Sequence, residues 1–274
     1  MQTFLLENIK IHSPQNIEEM QNVLFDMLTN CMYSGGGCSK PHVISFINPE
    51  IFLKQNHRGD KSGLHKYFLE TDYNFLDGIG IVYAINLRLG TFYDIKNRYP
   101  GTDFFKYLPS LEQLGNKKIR IFLYGSYLER NLKASQLLAA KYDNIEIVGN
   151  QDGYSKVSDD EIIRRINASN ADILIVCKGC PMQELWIQKN LSKLKVKIVF
   201  GNGGSIDFWS ESVKRAPEFL INHGFEWLFR LTQDFSFRRI RRILKLLRFY
   251  LNYTFGRYNI IQLKEDNNEN AITA

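Results

Sequence analysis

The sequence predicts an α/β fold in which a Rossmann-like parallel sheet is sandwiched between helices. From about residue 115 onward, short runs of Val, Ile and Leu alternate with segments of helical periodicity, and the runs end in glycine-containing turns. Strands this apolar are typical of a parallel sheet that helices cover on both faces. Neither GxGxxG nor GxxxxGKS/T follows any of these strands. Their absence argues against an ordinary NAD enzyme and against a P-loop phosphotransferase.

Residues 1–114 are predicted to form a smaller N-terminal α/β portion. Apolar side chains at helical spacing predict a helix over 14–32, and an apolar run predicts a strand over 42–48 that ends at an Asn-Pro pair. A short helix is predicted over 49–55. Within 73–87 an apolar run reaches Asp-Gly and then continues at helical spacing, which indicates a strand, a tight turn and a helix.

Residues 115–231 are predicted to form the Rossmann-like portion. Strands are expected within 117–125, 145–154, 171–179 and 196–204, with helices over 128–142, 159–169 and 181–194 and a further helix after 210–224. In such sheets ligands bind where strands end and helices begin. The polar residues and glycines at the strand ends are therefore the candidate binding groups, although each glycine alone is also explained by turn chemistry.

The positive charge of the chain lies in its last part. The net charge is +6, and residues 235–264 hold eight Lys and Arg but no Asp or Glu, so the rest is close to neutral. We therefore expect no nucleic-acid partner, since such binders are usually basic over the fold itself. Residues 232–274 are predicted to be a basic helical appendage with a frayed tail.

Residues 237–251 have the pattern of an amphipathic basic helix. The apolar residues that share one face are Phe237, Ile240, Ile243, Leu244, Leu247 and Leu251. Most of the basic residues fall on the opposite side. This pattern is typical of a helix that lies on an anionic membrane surface. A packed terminal helix with a solvated basic face, or self-association through the apolar face, are the alternatives.

The N-terminus and the cysteines favour a cytoplasmic location. The first residues lack a signal-peptide pattern, and no run reaches about 18 apolar residues. The Cys177-x-x-Cys180 pair has redox or zinc spacing, but Cys31 and Cys38 do not form a matching second pair. We interpret the cysteines as small buried thiols, with a reactive thiol or a metal site as alternatives.

A set of motifs follows the predicted elements in a fixed order. They are Asn48 in FINPE, Asp77-Gly78-x-Gly80, Arg98-x-x-Gly101-x-Asp103, Gly153-Tyr154, Gly179-x-Pro181-x-Gln183-Glu184, Gly201-x-Gly203-Gly204-x-x-Asp207, Arg215-Ala216-Pro217 and Gly224-x-Glu226-Trp227-Leu228-x-Arg230-Leu231. With this set the chain resembles the WecG/TagA/CpsF family, glycosyltransferase family 26, over about residues 40 to 245.

The resemblance implies an inverting glycosyltransferase that needs neither metal nor cofactor. An N-acetylhexosamine, such as N-acetylmannosamine or its uronate, would pass from a UDP-sugar donor to a polyprenyl diphosphate-linked acceptor. The enzyme would be peripheral on the inner face of the cell membrane, and its product would enter teichoic acid, common antigen, capsule or exopolysaccharide. It also implies a tendency to form homo-oligomers. The alternatives are UDP-glucose or UDP-galactose as donor, or a non-enzymatic nucleotide- or RNA-binding protein.

The resemblance also assigns roles to individual residues. Asp77 is the expected catalytic base, which removes the proton of the acceptor hydroxyl, and Asn48 would orient a sugar group beside it. Their alternatives are a helix cap and a turn residue. The residues expected to bind substrate are Arg98, Asp103, Gly125, Gly179, Gln183, Glu184, Gly203, Gly204, Asp207, Arg215, Arg230, Arg238 and Arg241.

Without a DxD metal motif, arginines and backbone N–H groups are expected to stabilise the departing diphosphate. The resemblance implies that Arg230, Arg238 and Arg241 reach it from an appendage folded over the site. Several positions depart from the usual family pattern, and two of them bear on the donor sugar. Phe46 stands where Thr is frequent, and Glu211 stands where Gly is frequent. These departures leave the identity of the donor sugar open.

Overall fold

The structure is a computed structural model. It describes residues 1–29, 40–55, 63–90, 94, 97–223, 225–233, 244, 247–252, 254–256 and 260–263. The strands are β1 Gln2–Leu6, β2 Ile9–Ser13, β3 His42–Ile47, β4 Tyr73–Leu76, β5 Ile119–Gly125, β6 Ile145–Gln151, β7 Ile173–Cys177, β8 Ile198–Gly201 and β9 Ile260–Leu263.

The helices are α1 Ile17–Thr29, α2 Pro49–Gln55, α3 Leu64–Glu70, α4 Ile79–Leu89, α5 Leu128–Lys141, α6 Asp159–Ala168, α7 Met182–Asn190, α8 Ser205–Trp209, α9 Glu218–Asn222 and α10 Glu226–Gln233. Two 3-10 helices cover Gly101–Tyr107 and Leu191–Lys193. Residues 247–252 are also helical. None of the described helices is long and apolar enough to cross a membrane.

The strands form one sheet in the order β6-β5-β7-β8-β3-β4-β2-β1-β9. Neighbours from β6 to β2 pair in parallel, whereas β1 runs antiparallel to both β2 and β9. The pairing of Ile44 with Phe200 joins β3 to β8, so one sheet runs through both portions that the sequence distinguishes. The predicted α/β fold class with a mostly parallel sheet between helices is confirmed.

Side chains of alternate strand residues enter two cores, one on each face of the sheet. In β7, Leu174 and Val176 join the core formed with α2, α3, α4, α6 and α7. Ile173 and Ile175 join the core formed with α1, α5, α8 and the first 3-10 helix. Burial on both faces is the physical reason why the strands are continuous apolar runs rather than alternating ones.

The sequence pattern does not indicate several short elements, among them β1, β2, α3 and β9. The β1–β2 hairpin turns at Glu7 and Asn8, whose φ angles of 47° and 71° match a two-residue turn with both central residues left-handed. Its signal was the alternation of apolar residues across Phe4, Leu6, Ile9 and Ile11, which are all buried.

A buried amide fixes β4 within the sheet. The Nδ2 of Asn74 donates to the carbonyl oxygens of Lys10 and Phe68, and its Oδ1 accepts from the hydroxyl of Ser45. Both ends of the amide are thereby satisfied in the interior, as burial of a polar group requires. This network ties β4 to β2 and β3, and so positions Asp77, which follows β4 directly.

Candidate active site

A cavity of about 580 Å³ opens at the carboxyl ends of β3, β4 and β8. Its lining includes Asn48 after β3, Asp77 after β4 and Gly203 after β8, together with Arg98. Ligands bind at this edge in open parallel sheets because strand ends and helix starts meet there. The structure therefore brings together four residues that the sequence had singled out from separate segments.

Asn48 and Asp77 are neighbours because they end adjacent parallel strands. The side-chain amide of Asn48 donates to Oδ2 of Asp77 at 3.4 Å. Its Oδ1 accepts the backbone N–H of Ile51 at 3.1 Å, which caps the start of α2. Because the oxygen is used by the helix, the NH₂ group must face the carboxylate. The carboxylate of Asp77 is thus oriented by Asn48 at the cavity wall.

Close packing explains the glycines that follow Asp77. A Cβ on Gly78 would lie 2.6 Å from Cδ of Pro49, and a Cβ on Gly80 would lie 2.5 Å from Cγ of Pro49. The second would also lie 2.9 Å from the hydroxyl of Tyr250. The start of α4 therefore packs tightly against the start of α2 and against the C-terminal segment, and side chains there would push these elements apart.

Arg98 connects the cavity to its rim. Its guanidinium donates to the carbonyl of Ile221 at 2.6 Å, which holds α9 beside the site. The following residues His223, Phe225 and Glu226 also line the cavity. His223 and Phe225 belong to no motif, and sequence reasoning missed them. Their proximity depends on how the segment between α9 and α10 folds back, which periodicity does not indicate.

Arg215 and Asp103 contact each other. The guanidinium makes a bidentate ion pair with the carboxylate, and Lys106 lies 3.1 Å from the same group. Burial alone would raise the pKa of Asp103, but the hydrogen bonds and charges of Arg215 and Lys106 lower it below its usual value. Neither Arg215 nor Asp103 is among the described residues that line the cavity. Their ion pair links the 3-10 helix Gly101–Tyr107 to the loop before α9.

A second cluster lies at the ends of β5 and β6. Oδ1 of Asp207 accepts from the hydroxyl of Ser126 at 3.1 Å and from the guanidinium of Arg130 at 3.0 Å. Beside it the exposed rings of Tyr127 and Tyr154 stack with centroids 4.6 Å apart. Tyr127 was not singled out from the sequence; its signal is its place two residues after a predicted strand.

Gly125 joins this cluster to β7 by backbone contact. Its φ is 136°, and a Cβ there would lie 2.3 Å from the carbonyl oxygen of Cys177. Glycine is therefore required by both conformation and space. A Cβ on Gly153 would in turn lie 2.9 Å from Cα of Gly125. The two glycines let the loops after β5 and β6 approach each other at the sheet edge.

Gln183 and Glu184 lie in the first turn of α7 and are both buried, at 2% and 3% exposure, but only Gln183 is part of the cavity lining. Gln183 lines the cavity, and its Oε1 accepts the N–H of Gly179 at 3.0 Å. Its Nε2 donates to Oε1 of Glu184 at 2.8 Å. Glu184 is buried behind it, and this burial raises the pKa of its carboxyl above the usual value. The structure thus separates a residue at the cavity from its buried support.

The loop after β8 supplies backbone groups at the same wall. Gly203 lines the cavity, and Gly204 has a left-handed φ of 81° immediately before α8. A Cβ on Gly203 would lie 2.9 Å from Oε1 of Gln183 and from Cα of Gly179. The loops after β7 and β8 are therefore in contact through Gln183.

The C-terminal segment returns to the cavity. Phe249 is buried with its ring edge-to-face against Phe52 at 5.8 Å, while Leu247 and Tyr250 line the cavity. Leu244, Leu247 and Leu251, from the predicted apolar face, are 53% to 58% exposed. The side chain of Arg230 and all of Arg238 and Arg241 lie outside the described residues, as do Phe237, Ile240 and Ile243.

The described cysteines are shielded thiols. Cys177 is buried at the end of β7 and Cys180 is partly buried. Burial raises the pKa of both thiols well above the usual value, which is typical of unreactive cysteines. Within the described ranges, His, Cys, Asp and Glu form no group of three or more that could hold a metal ion. Cys31 and Cys38 lie outside those ranges.

Two comparisons relate the chain to known proteins. A model described as "Glycosyl transferase WecG/TagA/CpsF family" matches residues 15–260. The chain is 33% identical over 231 residues to N-acetylglucosaminyldiphosphoundecaprenol N-acetyl-beta-D-mannosaminyltransferase of Bacillus subtilis (strain 168), and the alignment covers 83% of this chain and 81% of that protein. The matched range of the family model includes the cavity and the Asp207 cluster.

Proposed function

The chain belongs to the WecG/TagA/CpsF family of glycosyl transferases, and we propose that it moves an N-acetylhexosamine from UDP to a polyprenyl diphosphate-linked acceptor sugar. The relative from Bacillus subtilis is named for the transfer of N-acetylmannosamine to N-acetylglucosaminyldiphosphoundecaprenol. N-acetylmannosamine is accordingly the first donor sugar to test. The product would serve teichoic acid or a related bacterial surface polymer.

The observation that carries this proposal is the Asn48–Asp77 pair at the cavity wall. In an inverting transfer the acceptor hydroxyl attacks the anomeric carbon, its proton passes to a carboxylate, and the bond to the leaving UDP oxygen breaks. Asp77 is the carboxylate held in place for that proton. The amide of Asn48 orients this carboxylate through the 3.4 Å hydrogen bond. The amide is itself held in place because its oxygen accepts the backbone N–H of Ile51.

The leaving diphosphate gains one negative charge, in addition to the two that it already carries in the donor, and the site must stabilise it. Arg98 supplies a guanidinium at the cavity, and Gly203 and Gly204 supply backbone N–H groups before α8. Cations and oriented N–H groups can do this without a metal ion. Arginines of the C-terminal segment would add further positive charge around the diphosphate, since Leu247 and Tyr250 of the same segment line the cavity.

The nucleoside is assigned to the cluster at the ends of β5 and β6. The exposed Tyr127–Tyr154 pair offers an aromatic face for a base. The carboxylate of Asp207, oriented by Ser126 and Arg130, can accept hydrogen bonds from ribose hydroxyls. The donor would then extend along the sheet edge from this cluster, past the β7 and β8 loops, to Asp77.

The acceptor lipid requires a position at the membrane surface. The exposed Leu244, Leu247 and Leu251 give the C-terminal segment an apolar face next to the cavity. A basic helix with such a face binds an anionic leaflet by apolar burial and by charge. We therefore place the enzyme on the cytoplasmic face of the membrane, with the cavity directed toward the lipid.

A transfer assay tests this function. Liposomes carrying a lipid diphosphate-linked N-acetylglucosamine are incubated with a panel of UDP-sugars and with the full chain or a chain truncated after Leu231. Turnover of one UDP-N-acetylhexosamine by the full chain alone supports the proposal. Turnover of UDP-glucose or UDP-galactose instead would change the donor. UDP binding without any transfer, across several acceptors, would favour a binding protein.

A further inference from the structure

We propose that Glu184 is a positioning residue, which acts through the Gln183 amide to hold two glycine loops at the spacing that the donor diphosphate requires. The loops are residues 178–181 after β7 and 202–204 after β8, which ends at Gly201. The inference rests on the proposed function, since it concerns the donor site of the same transferase. In this inference Gln183 is the residue at the cavity lining, and Glu184 supports it from behind.

The Gln183 amide is the contact between the two loops. Its Oε1 accepts the N–H of Gly179 at 3.0 Å, so its oxygen is directed to the first loop. A Cβ on Gly201 would lie 2.6 Å from Cγ of Gln183, and one on Gly203 would lie 2.9 Å from Oε1. The side chain therefore fills the space between the loops, and any rotation of the amide would displace one of them.

Glu184 fixes which way that amide points. Oε1 of Glu184 accepts from Nε2 of Gln183 at 2.8 Å, and the Glu184 side chain is nearly inaccessible, at 3% exposure. A glutamine amide has one accepting end and one donating end. Because the N–H of Gly179 needs an acceptor, Nε2 must face Glu184, and only an acceptor at position 184 completes the arrangement.

The second carboxyl oxygen of Glu184, Oε2, is not part of the cavity lining. Among the described residues, Oε2 of Glu184 has no hydrogen-bond partner, and neither has the buried hydroxyl of Tyr67. Lys54 and Cys180 are the other polar groups near the carboxyl. A carboxyl that is enclosed in this way cannot contact a ligand directly. Its effect on the donor must pass through Gln183.

Removal of the carboxyl is expected to act on donor binding rather than on the chemical step. In Glu184→Ala the Nε2 of Gln183 becomes a buried donor without an acceptor, and the amide turns away from Gly179. We expect the KM for the UDP-sugar and the Kd for UDP to rise about tenfold, as for a buried donor left unpaired. The kcat should change less, because most of the diphosphate's charge is already present when the donor binds, so most of the loss appears in donor binding.

The conservative variant and a double variant separate positioning from general damage. Glu184→Gln keeps an accepting oxygen, so we expect its Kd for UDP to stay within about threefold of the parent. In the Gln183→Ala background, Glu184→Ala should add little further loss, since both act through one amide. Tyr67→Phe is the matched control. It changes a side chain in the same buried region but leaves Glu184, the acceptor of the Gln183 amide, in place.

UDP affinity by calorimetry, transfer kinetics and thermal unfolding are measured on the full chain for each variant. A UDP Kd of Glu184→Ala equal to the parent's would overturn the inference, as would independent, multiplying losses in the double variant. A loss of kcat with unchanged KM would also overturn it, because the lost interaction would then belong to the transition state and not to donor binding. If Glu184→Ala does not fold, Glu184→Asp, whose carboxyl is too short to reach Nε2, replaces it. Failure of the parent itself to bind UDP would instead overturn the proposed function.

Discussion

The side-chain amide of Asn48 donates to the carboxylate of Asp77 while its oxygen caps α2 at the N–H of Ile51. One residue thus links the stability of a helix start to the orientation of the carboxylate that we propose as the catalytic base. The two functions can be separated by substitution, because a cap needs only an oxygen, whereas the contact with Asp77 needs a donor.

Asn48→Asp should preserve the fold and impair the reaction. Aspartate caps a helix as well as asparagine does, so the melting temperature should stay close to that of the parent. The new carboxylate faces Asp77 and disfavours its ionised form. We expect the acid limb of the pH–rate profile to move to higher pH and kcat to fall. An unmoved acid limb would contradict the contact, and Asn48→Ala, which loses both functions, is the control.

The Arg215–Asp103 pair should matter chiefly for stability. The Arg215 side chain is 29% exposed, so breaking the pair by removing one partner should lower the free energy of unfolding by about 2 kcal/mol, less than the roughly 3–5 kcal/mol of a fully buried pair. Arg215→Met should therefore be destabilising in urea titrations. Replacement of both residues, with Asp103→Leu added, should be less harmful than Arg215→Met alone, because the Asp103 carboxylate, which would keep only Lys106 as a partner, is removed as well. A double variant that is less stable than the single one would contradict this account.

Glu211 lies in a left-handed conformation with φ of 56°. A side chain with a Cβ is strained there by about 1 kcal/mol relative to glycine. Glu211→Gly should raise or leave unchanged the free energy of unfolding, even though glycine is usually unfavourable in a folded chain. Glu211→Val should lower it, since a β-branched residue fits this region worst. Equal losses in both variants would show that the conformation is not the cause.

The stability of the chain should depend on pH through Glu184. Burial raises the pKa of this carboxyl above 4.5, so the folded state keeps a proton that the unfolded state has lost. Below pH 4.5 both states are protonated, and the effect vanishes. As pH rises from 4.5 through the folded pKa, stability is progressively lost. Lys54, Cys180 and Tyr67 are the polar neighbours of the carboxyl. With these neighbours present, the pKa of Glu184 is still raised.

Glu184→Gln removes that titration without changing the shape of the side chain. The melting temperature of the variant minus that of the parent should be near zero at pH 4.5 and should increase toward pH 8. Glu161→Gln is the matched control, because its exposed carboxylate pairs with Arg164 and Arg165 and its pKa, about 2, is lowered. A difference that stays constant with pH would contradict the raised pKa of Glu184.

The exposed apolar face of the C-terminal segment should bind vesicles. Leu244→Glu with Leu251→Glu places two anionic side chains on that face, where the parent has exposed leucines. We expect at least a tenfold loss of binding to vesicles with anionic lipids in flotation assays, since apolar burial and charge attraction both weaken. Leu132→Glu, at an exposed leucine of α5, is the control. Equal binding of all three proteins would place the membrane contact elsewhere.

Much of this fold could be predicted because buried parallel strands have an unmistakable pattern. The runs at β3, β4, β5, β7 and β8 lie where the sequence indicates, and family membership is confirmed by the family match. The convergence of Asn48 and Asp77 also follows from sequence, since both end parallel strands that prove to be neighbours. The β1–β2 hairpin and β9 could not be placed as readily, because short edge strands bury fewer residues.

Side-chain pairing was the part that sequence could not provide. An arginine such as Arg215 has the same pattern whether it meets a phosphate or, as the structure has it, Asp103. The adjacent Gln183 and Glu184 look equivalent in sequence and are both buried, yet only Gln183 is part of the cavity lining. His223 and Phe225 line the cavity through a loop path that no periodicity records.

The most direct test of the account is single-turnover transfer by Asp77→Asn compared with the parent, with UDP affinity measured on both. Asn keeps the size of the side chain but cannot accept the proton. We predict that Asp77→Asn binds UDP within about threefold of the parent and that its transfer step slows by about 10²–10⁴-fold, the range for loss of a general base. Transfer at the parental rate, with a product of the same anomeric configuration as the parent's, would show that another group removes the proton.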